Sequence, residues 1–93
     1  MDKIEIDGKF FEGYSIPTEH SCVLLIKAAR GVLGCGYFSL ATAEKTGDAL
    51  AIVTGVKNFD EMLAAEVKAV SPAATKLGVA AGMTGREALL KLI

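Results

Sequence analysis

The chain has 93 residues, with ten Lys or Arg against eleven Asp or Glu and a net charge of -1, which suits one small domain. The two signs are interspersed, there is no Trp and there is no basic stripe, so nucleic-acid binding is set aside. Apolar runs such as Cys22 to Ile26 are far too short to span a membrane, and Met1-Asp2-Lys3-Ile4-Glu5 carries no signal-peptide pattern.

Hydrophobic residues make up 52% of the chain and charged residues only 23%, more apolar surface than a domain this small hides easily. Abundant Ala softens that excess, and subunit association is the simplest way to cover the remainder. The expected compartment is the cytoplasm, where the two Cys stay reduced.

Lys3-Ile4-Glu5-Ile6 alternates polar and apolar, the period of a strand. Asp7-Gly8 follows and predicts a type I′ hairpin turn, whose central residues both need positive φ. The return strand runs from Lys9 to about Ile16, with Phe10 and Phe11 on opposite faces. A hairpin apolar on both faces must pack on something, so residues 1–16 read as an arm with Phe10, Phe11 and Tyr14 buried between subunits. Residues 17–93 form the α/β body.

Cys22 to Ala28 predicts a strand covered on both faces. A two-residue turn at Arg30-Gly31 would set Ile26 opposite Cys35 and return the chain over Val32 to Phe38. Alternation then places Leu24, Ile26, Leu33, Cys35 and Tyr37 on one face. Gly34 and Gly36 fall on the other, where something can approach the backbone closely.

Ser39 is a good N-cap and Gly47 a good C-terminal stop for a helix between them. Asp48 to Thr54 is the next strand, and the link from Phe38 is just long enough for a helical crossover between parallel strands. Asn58 with Glu61 opens a second helix, and Glu66 to Val70 reads as a short strand. Ser71-Pro72 opens a third helix that ends at Gly78, and Thr84 with Glu87 forms a capping box for the last.

Several segments resemble the YunC-like family, a bacterial and archaeal domain of unknown function. They are Cys35-Gly36-Tyr37, Ala43-Glu44-Lys45, Gly47-Asp48, Ala51-Ile52-Val53, Gly55-Val56-Lys57 and the closing Gly82-Met83-Thr84-Gly85-Arg86-Glu87-Ala88-Leu89. Thr46 stands where such families usually carry Phe or a similar apolar group. The resemblance spans essentially the whole chain. It implies a small α/β domain whose N-terminal strands form an oligomerisation region, and a tetramer; it implies no activity and supplies no catalytic residues.

Cys35 is the sharpest candidate for chemistry, because flanking glycines would leave its sulfur accessible and the Ser39 helix start is near. The plainer reading is an apolar thiol packed on Leu24 and Ile26. Cys22 would lie about four residues out of step, ~13 Å away and beyond disulfide reach. The two Cys and His20 lack a compact zinc spacing, so no metal is expected. Gly34-Cys35-Gly36 opens like a dinucleotide fingerprint. Ser39, however, stands where its third glycine belongs, and no acidic residue stands near Thr54, so no cofactor is expected.

Two helix starts carry a cation: Lys57 before Asn58, and Arg86 beside Thr84-Gly85. Free amides with a fixed positive charge can hold an anion. The alternative is that Thr84 and Glu87 cap one another and Arg86 is solvated or paired with a carboxylate such as Asp48.

The sequence therefore predicts one α/β (α+β) domain, a mixed sheet with three to four helices and an N-terminal hairpin arm. Two functional readings follow. The first is a cytoplasmic homo-oligomer, a tetramer, that binds a small anionic metabolite or acts as an assembly scaffold. The second is an enzyme with Cys35 as nucleophile and Asp48 and Arg86 as charge partners, in a site shared between subunits.

Overall fold

Strand order in the sheet follows strand order in the chain. A computed structural model, which describes residues 1–93, sets six strands side by side in sequence. They are β1 (Asp2–Ile6), β2 (Lys9–Pro17), β3 (Cys22–Lys27), β4 (Val32–Gly34), β5 (Leu50–Ile52) and β6 (Ala69–Val70). Of four helices, α1 (Leu40–Thr46) links β4 to β5, α2 (Phe59–Ala64) links β5 to β6, and α3 (Pro72–Lys76) and α4 (Gly85–Lys91) follow β6. Neighbouring strands are antiparallel except β4 and β5, which are parallel and joined through α1. No helix is long and apolar enough to cross a membrane.

Local chemistry sets the element ends. Asp7 and Gly8 have φ of 51° and 79°, as the type I′ turn requires. Ser39, Asn58, Ser71 and Thr84 each accept an amide three residues on and start the four helices. Gly47 ends α1 in the left-handed region at φ 83° and donates to the Ala43 carbonyl. At the α2 start the Glu61 carboxylate accepts from Lys57 N, one residue before the cap, rather than from Asn58 itself.

The sheet has two unlike faces. On one, Ile6, Phe11, Leu24, Ile26, Leu33, Ala51 and Val53 meet Met62 of α2 and Ala88, Leu89 and Leu92 from the C-terminal helix region. On the other, Leu50 and Ile52 meet Ala43 of α1, with Phe38 and Leu40 packed beside them. Helix α1 reaches only this β4–β5 side. Over β1 to β3 the second face stays open, and its residues Phe10 and Ile16 are 58% and 59% exposed.

Several expectations shift. The β3–β4 turn is the four residues Ala28 to Gly31, closed by Ala28 N to Gly31 O at 2.8 Å, so Ile26 pairs with Leu33 and not with Cys35. A slip of two residues preserves the faces, so Leu24, Ile26, Leu33 and Cys35 still point one way. β4 stops at Gly34, well short of Phe38. Phe38 N donates to Cys35 O and closes a turn, and the Phe38 ring lies so near Gly34 that a Cβ there would sit 2.6 Å from it. Tyr37, expected on the core face, is 58% exposed as a result. Pairing in the later strands is also shorter than expected: Leu50–Ile52 for Asp48 to Thr54, and Ala69–Val70 plus an isolated Glu66–Thr84 bridge for Glu66 to Val70.

The hairpin arm is the edge of the sheet itself, continuous with β3. Phe11, expected between subunits, is only 2% exposed inside its own chain. Alternation explains it: Phe11 pairs with Ile4 and shares the helix-covered face, while Phe10 and Tyr14 take the open one.

Candidate functional site

The parallel pair gives the sheet two chemically different ends. At the carboxyl ends of β4 and β5, where ligands of α/β sheets commonly sit, Cys22, Cys35, Tyr37, Gly55 and Val56 line a cavity of about 290 Å³. Leu24 is opposite Cys35 here. Cys35 N donates to Leu24 O at 3.1 Å, but the Leu24 amide donates to Cys35 Sγ at 3.3 Å. The sulfur occupies the acceptor position that a strand carbonyl would fill, because the chain turns after Cys35 and its carbonyl takes the Phe38 amide. Cys35 thus ends a strand ladder and is 5% exposed.

Both thiols are free. With Leu24 opposite Cys35, the offset of Cys22 is two residues rather than the four expected, or about 7 Å along the strand and about 8 Å between Cα atoms, still outside ordinary disulfide geometry. Cys22 is half-buried and Cys35 buried, so an alkylating agent such as N-ethylmaleimide is expected to label Cys22 first, with Cys35 lagging by an order of magnitude or more. Peptide mapping over a time course checks this; faster labelling at Cys35 would contradict the packing.

The expected catalytic set is not gathered. Asp48 stands at the amino end of β5, opposite the Cys35 end, and accepts from Thr46 Oγ1 at 2.8 Å. Arg86 reaches across the fold to the hairpin turn, where its guanidinium donates to Asp7 Oδ1 at 2.6 Å. His20 is 88% exposed, 3.8 Å from Glu19. None of these three lines the Cys35 cavity. No three His, Cys, Asp or Glu side chains are grouped as a metal site would need.

The expected anion site at Thr84, Gly85 and Arg86 is closed by its own chain. Thr84 N donates to Glu87 Oε1 at 3.0 Å, Glu87 N donates to Thr84 Oγ1 at 3.2 Å, and Gly85 N donates to Ala65 O at 2.9 Å. The Thr84 amide, then the Thr84 hydroxyl, hold the Glu87 carboxyl below its usual range against desolvation, with Lys91 adding least. The capping box supplies the negative charge a ligand would otherwise bring. At the α2 start Glu61 does the same with Lys57 N, at 2.8 Å.

A second and larger cavity, about 580 Å³, lies between α1 and the β3–β4 hairpin. Leu25, Val32 and Leu50 line it from the sheet and Phe38 and Ala43 from the α1 side; Lys27, Arg30, Thr42 and Asp48 also line it. Sequence reasoning missed it. Lys27 and Thr42 belong to no motif, and the only hint was a cation ending the apolar run of β3.

Residues 34–92, well over half the chain, match the family model described as a domain of unknown function, DUF1805. The chain belongs to the DUF1805 family. It is 31% identical over 97 residues to the uncharacterised protein YunC of Bacillus subtilis, covering 100% of this chain and 96% of that protein. It also superposes with a TM-score of 0.93 and 37% identity on the crystal structure of a protein of unknown function, TA1206, from Thermoplasma acidophilum, covering 99% of this chain and 90% of that one. The DUF1805 match begins at the end of β4, whereas both relatives extend over the β1–β3 half as well. The YunC-like resemblance and the mixed α/β sheet read from the sequence are therefore correct.

Proposed function

We propose that this DUF1805 protein is a cytoplasmic homo-oligomer, a tetramer, that uses the open face of β1–β3 for assembly and carries a small-metabolite site on the body. The observation behind this is the open face. Phe10 and Ile16 are more than half exposed there, and Tyr14, Val23 and Leu25 share the face through the pairs Tyr14–Leu25 and Ile16–Val23. Contiguous apolar side chains on an uncovered sheet usually mark an interface.

Charge supports a second copy as the occupant. Lys3 stands opposite Glu12, and Glu5 stands opposite Phe10. Mixed signs on one patch let Lys of one copy face Glu of another across a twofold axis. Lys3 Nζ already lies 4.4 Å from the Phe10 ring centroid. Tyr14 donates to Glu12 Oε1 at 2.5 Å, and that bond, followed by desolvation and the Glu12 charge, raises the Tyr14 pKa above its usual value.

Native mass spectrometry tests the reading. The wild type is expected to fly as a tetramer. Ile16→Glu is expected to dissociate it toward monomer with an unchanged far-ultraviolet spectrum, because Ile16 lies outside the chain's own core. A variant of unchanged subunit number would refute assembly through this face.

A further inference from the structure

We infer that the cavity beneath α1 binds a small amphipathic anion, an apolar body carrying one carboxylate. This names the ligand for the metabolite-binding part of the reading above and rests on it.

Size and lining come first. At about 580 Å³ the space falls within the roughly 300–1,000 Å³ typical of small-molecule sites. Its floor is apolar: Leu50 and Ala43 are buried, and Leu25, Val32 and Phe38 are half-buried. A body without hydrogen-bonding groups satisfies that floor, and a polar body would leave its own groups unpaired against it.

The charged groups choose the sign. Lys27, Arg30 and Asp48 line the space. Neither cation has an Asp or Glu carboxylate within ion-pair distance. Glu12, the residue opposite Lys27 on β2, is engaged by the Tyr14 hydroxyl instead. Arg30 Nε is anchored on the Ile93 main-chain oxygen at 2.7 Å, which holds the guanidinium at the cavity edge. Asp48 already accepts from Thr46. Two cations against one carboxylate leave the lining net positive, and Lys27 is its flexible member. A carboxylate placed at Lys27, with Arg30 close by, leaves the ligand's body lying along Leu25, Val32 and Phe38.

The test is calorimetric titration with octanoate, compared with octylamine and octanol, which keep the chain and change the head group. Octanoate is expected to bind saturably at one site per chain, with both analogues at least about tenfold weaker, since a charged hydrogen bond contributes about that much. Lys27→Ala, at an exposed position, is expected to weaken octanoate about tenfold. Thr42→Trp, on the exposed side of α1, is expected to fill the space and abolish binding. Octylamine binding as well as octanoate, an unchanged affinity in Lys27→Ala, or no saturable octanoate binding by the wild type would each overturn the proposal. Native mass spectra of the same samples report subunit number separately, so failure of the ligand site and failure of the assembly face are told apart.

Discussion

Gly85→Ala is expected to lose a large part of the stability of the fold through one added methyl group. Gly85 is the first residue of α4, and a Cβ there would sit 2.1 Å from the Met62 carbonyl oxygen of α2 and 2.9 Å from Leu33 Cδ2. The nearest obstacle is backbone, so no side-chain rotation relieves it. Moving α4 away would stretch Gly85 N from Ala65 O, now at 2.9 Å, and open the core around Leu89 and Met62. Overpacking typically costs about 1–3 kcal/mol, and against rigid backbone the upper end, about 3 kcal/mol, is expected, out of a total of roughly 5–14 kcal/mol for a chain of this length. The thermal midpoint should fall by about 15 °C or more. Gly36→Ala is the matched control, since a Cβ there meets only Thr54 Cγ2 at 3.7 Å. It should stay within about 0.5 kcal/mol of wild type. Equal urea midpoints for the two variants would mean that α2 and α4 do not meet at Gly85.

Ser71→Ala is expected to have the second largest effect. Ser71 is fully buried, the one polar residue of the core. Its hydroxyl accepts from Leu50 N at 2.9 Å, approaches Ala74 N at 3.4 Å, and donates to Asp48 O at 2.8 Å. One oxygen thus caps α3 and also holds the chain entering β5. Alanine would leave the Leu50 amide and the Asp48 carbonyl without this partner. At about 1–3 kcal/mol for each orphaned group, a loss of about 3 kcal/mol is expected. Urea denaturation measures the total, and amide exchange at Leu50 locates it. A change under about 1 kcal/mol, with Leu50 still protected, would show that other groups satisfy these atoms.

Ser71 also marks the boundary of what the sequence could say. As an N-cap it was legible, because a cap needs only a residue and its amide three positions on. Ser39, Asn58 and Thr84 were legible for the same reason, and so was Asp7-Gly8. Its bonds to Leu50 and Asp48 reach back 21 and 23 residues and leave no local pattern. The β3–β4 register was misplaced by two because the turn closes at Ala28 rather than Ala29, a difference of backbone geometry rather than composition. The faces survived that error because two is the period of a strand. Phe11 was assigned to an interface because a hairpin apolar on both sides cannot reveal which side its own helices will cover. The candidate site was less legible still. Arg86 meets Asp7 across 79 residues, and Glu87, which announced the α4 start, is the group that fills the place where an anion was expected. The cavity under α1 arises where a helix meets a hairpin, and neither shows it alone.

A sheet whose strands lie in the order of their synthesis has a kinetic consequence. Each new strand finds its partner already formed beside it, separated by a turn or by one short helix-bearing link. Little loop-closure entropy accumulates before contacts repay it, and chains of this kind tend to fold quickly. The Asp7–Arg86 ion pair and the Arg30 contacts with Leu92 and Ile93 are among the links that close late. They tie the last helix to segments made long before it. Docking of α4 is then the step that completes the core, bringing Ala88, Leu89 and Leu92 onto the face that Met62 of α2 shares.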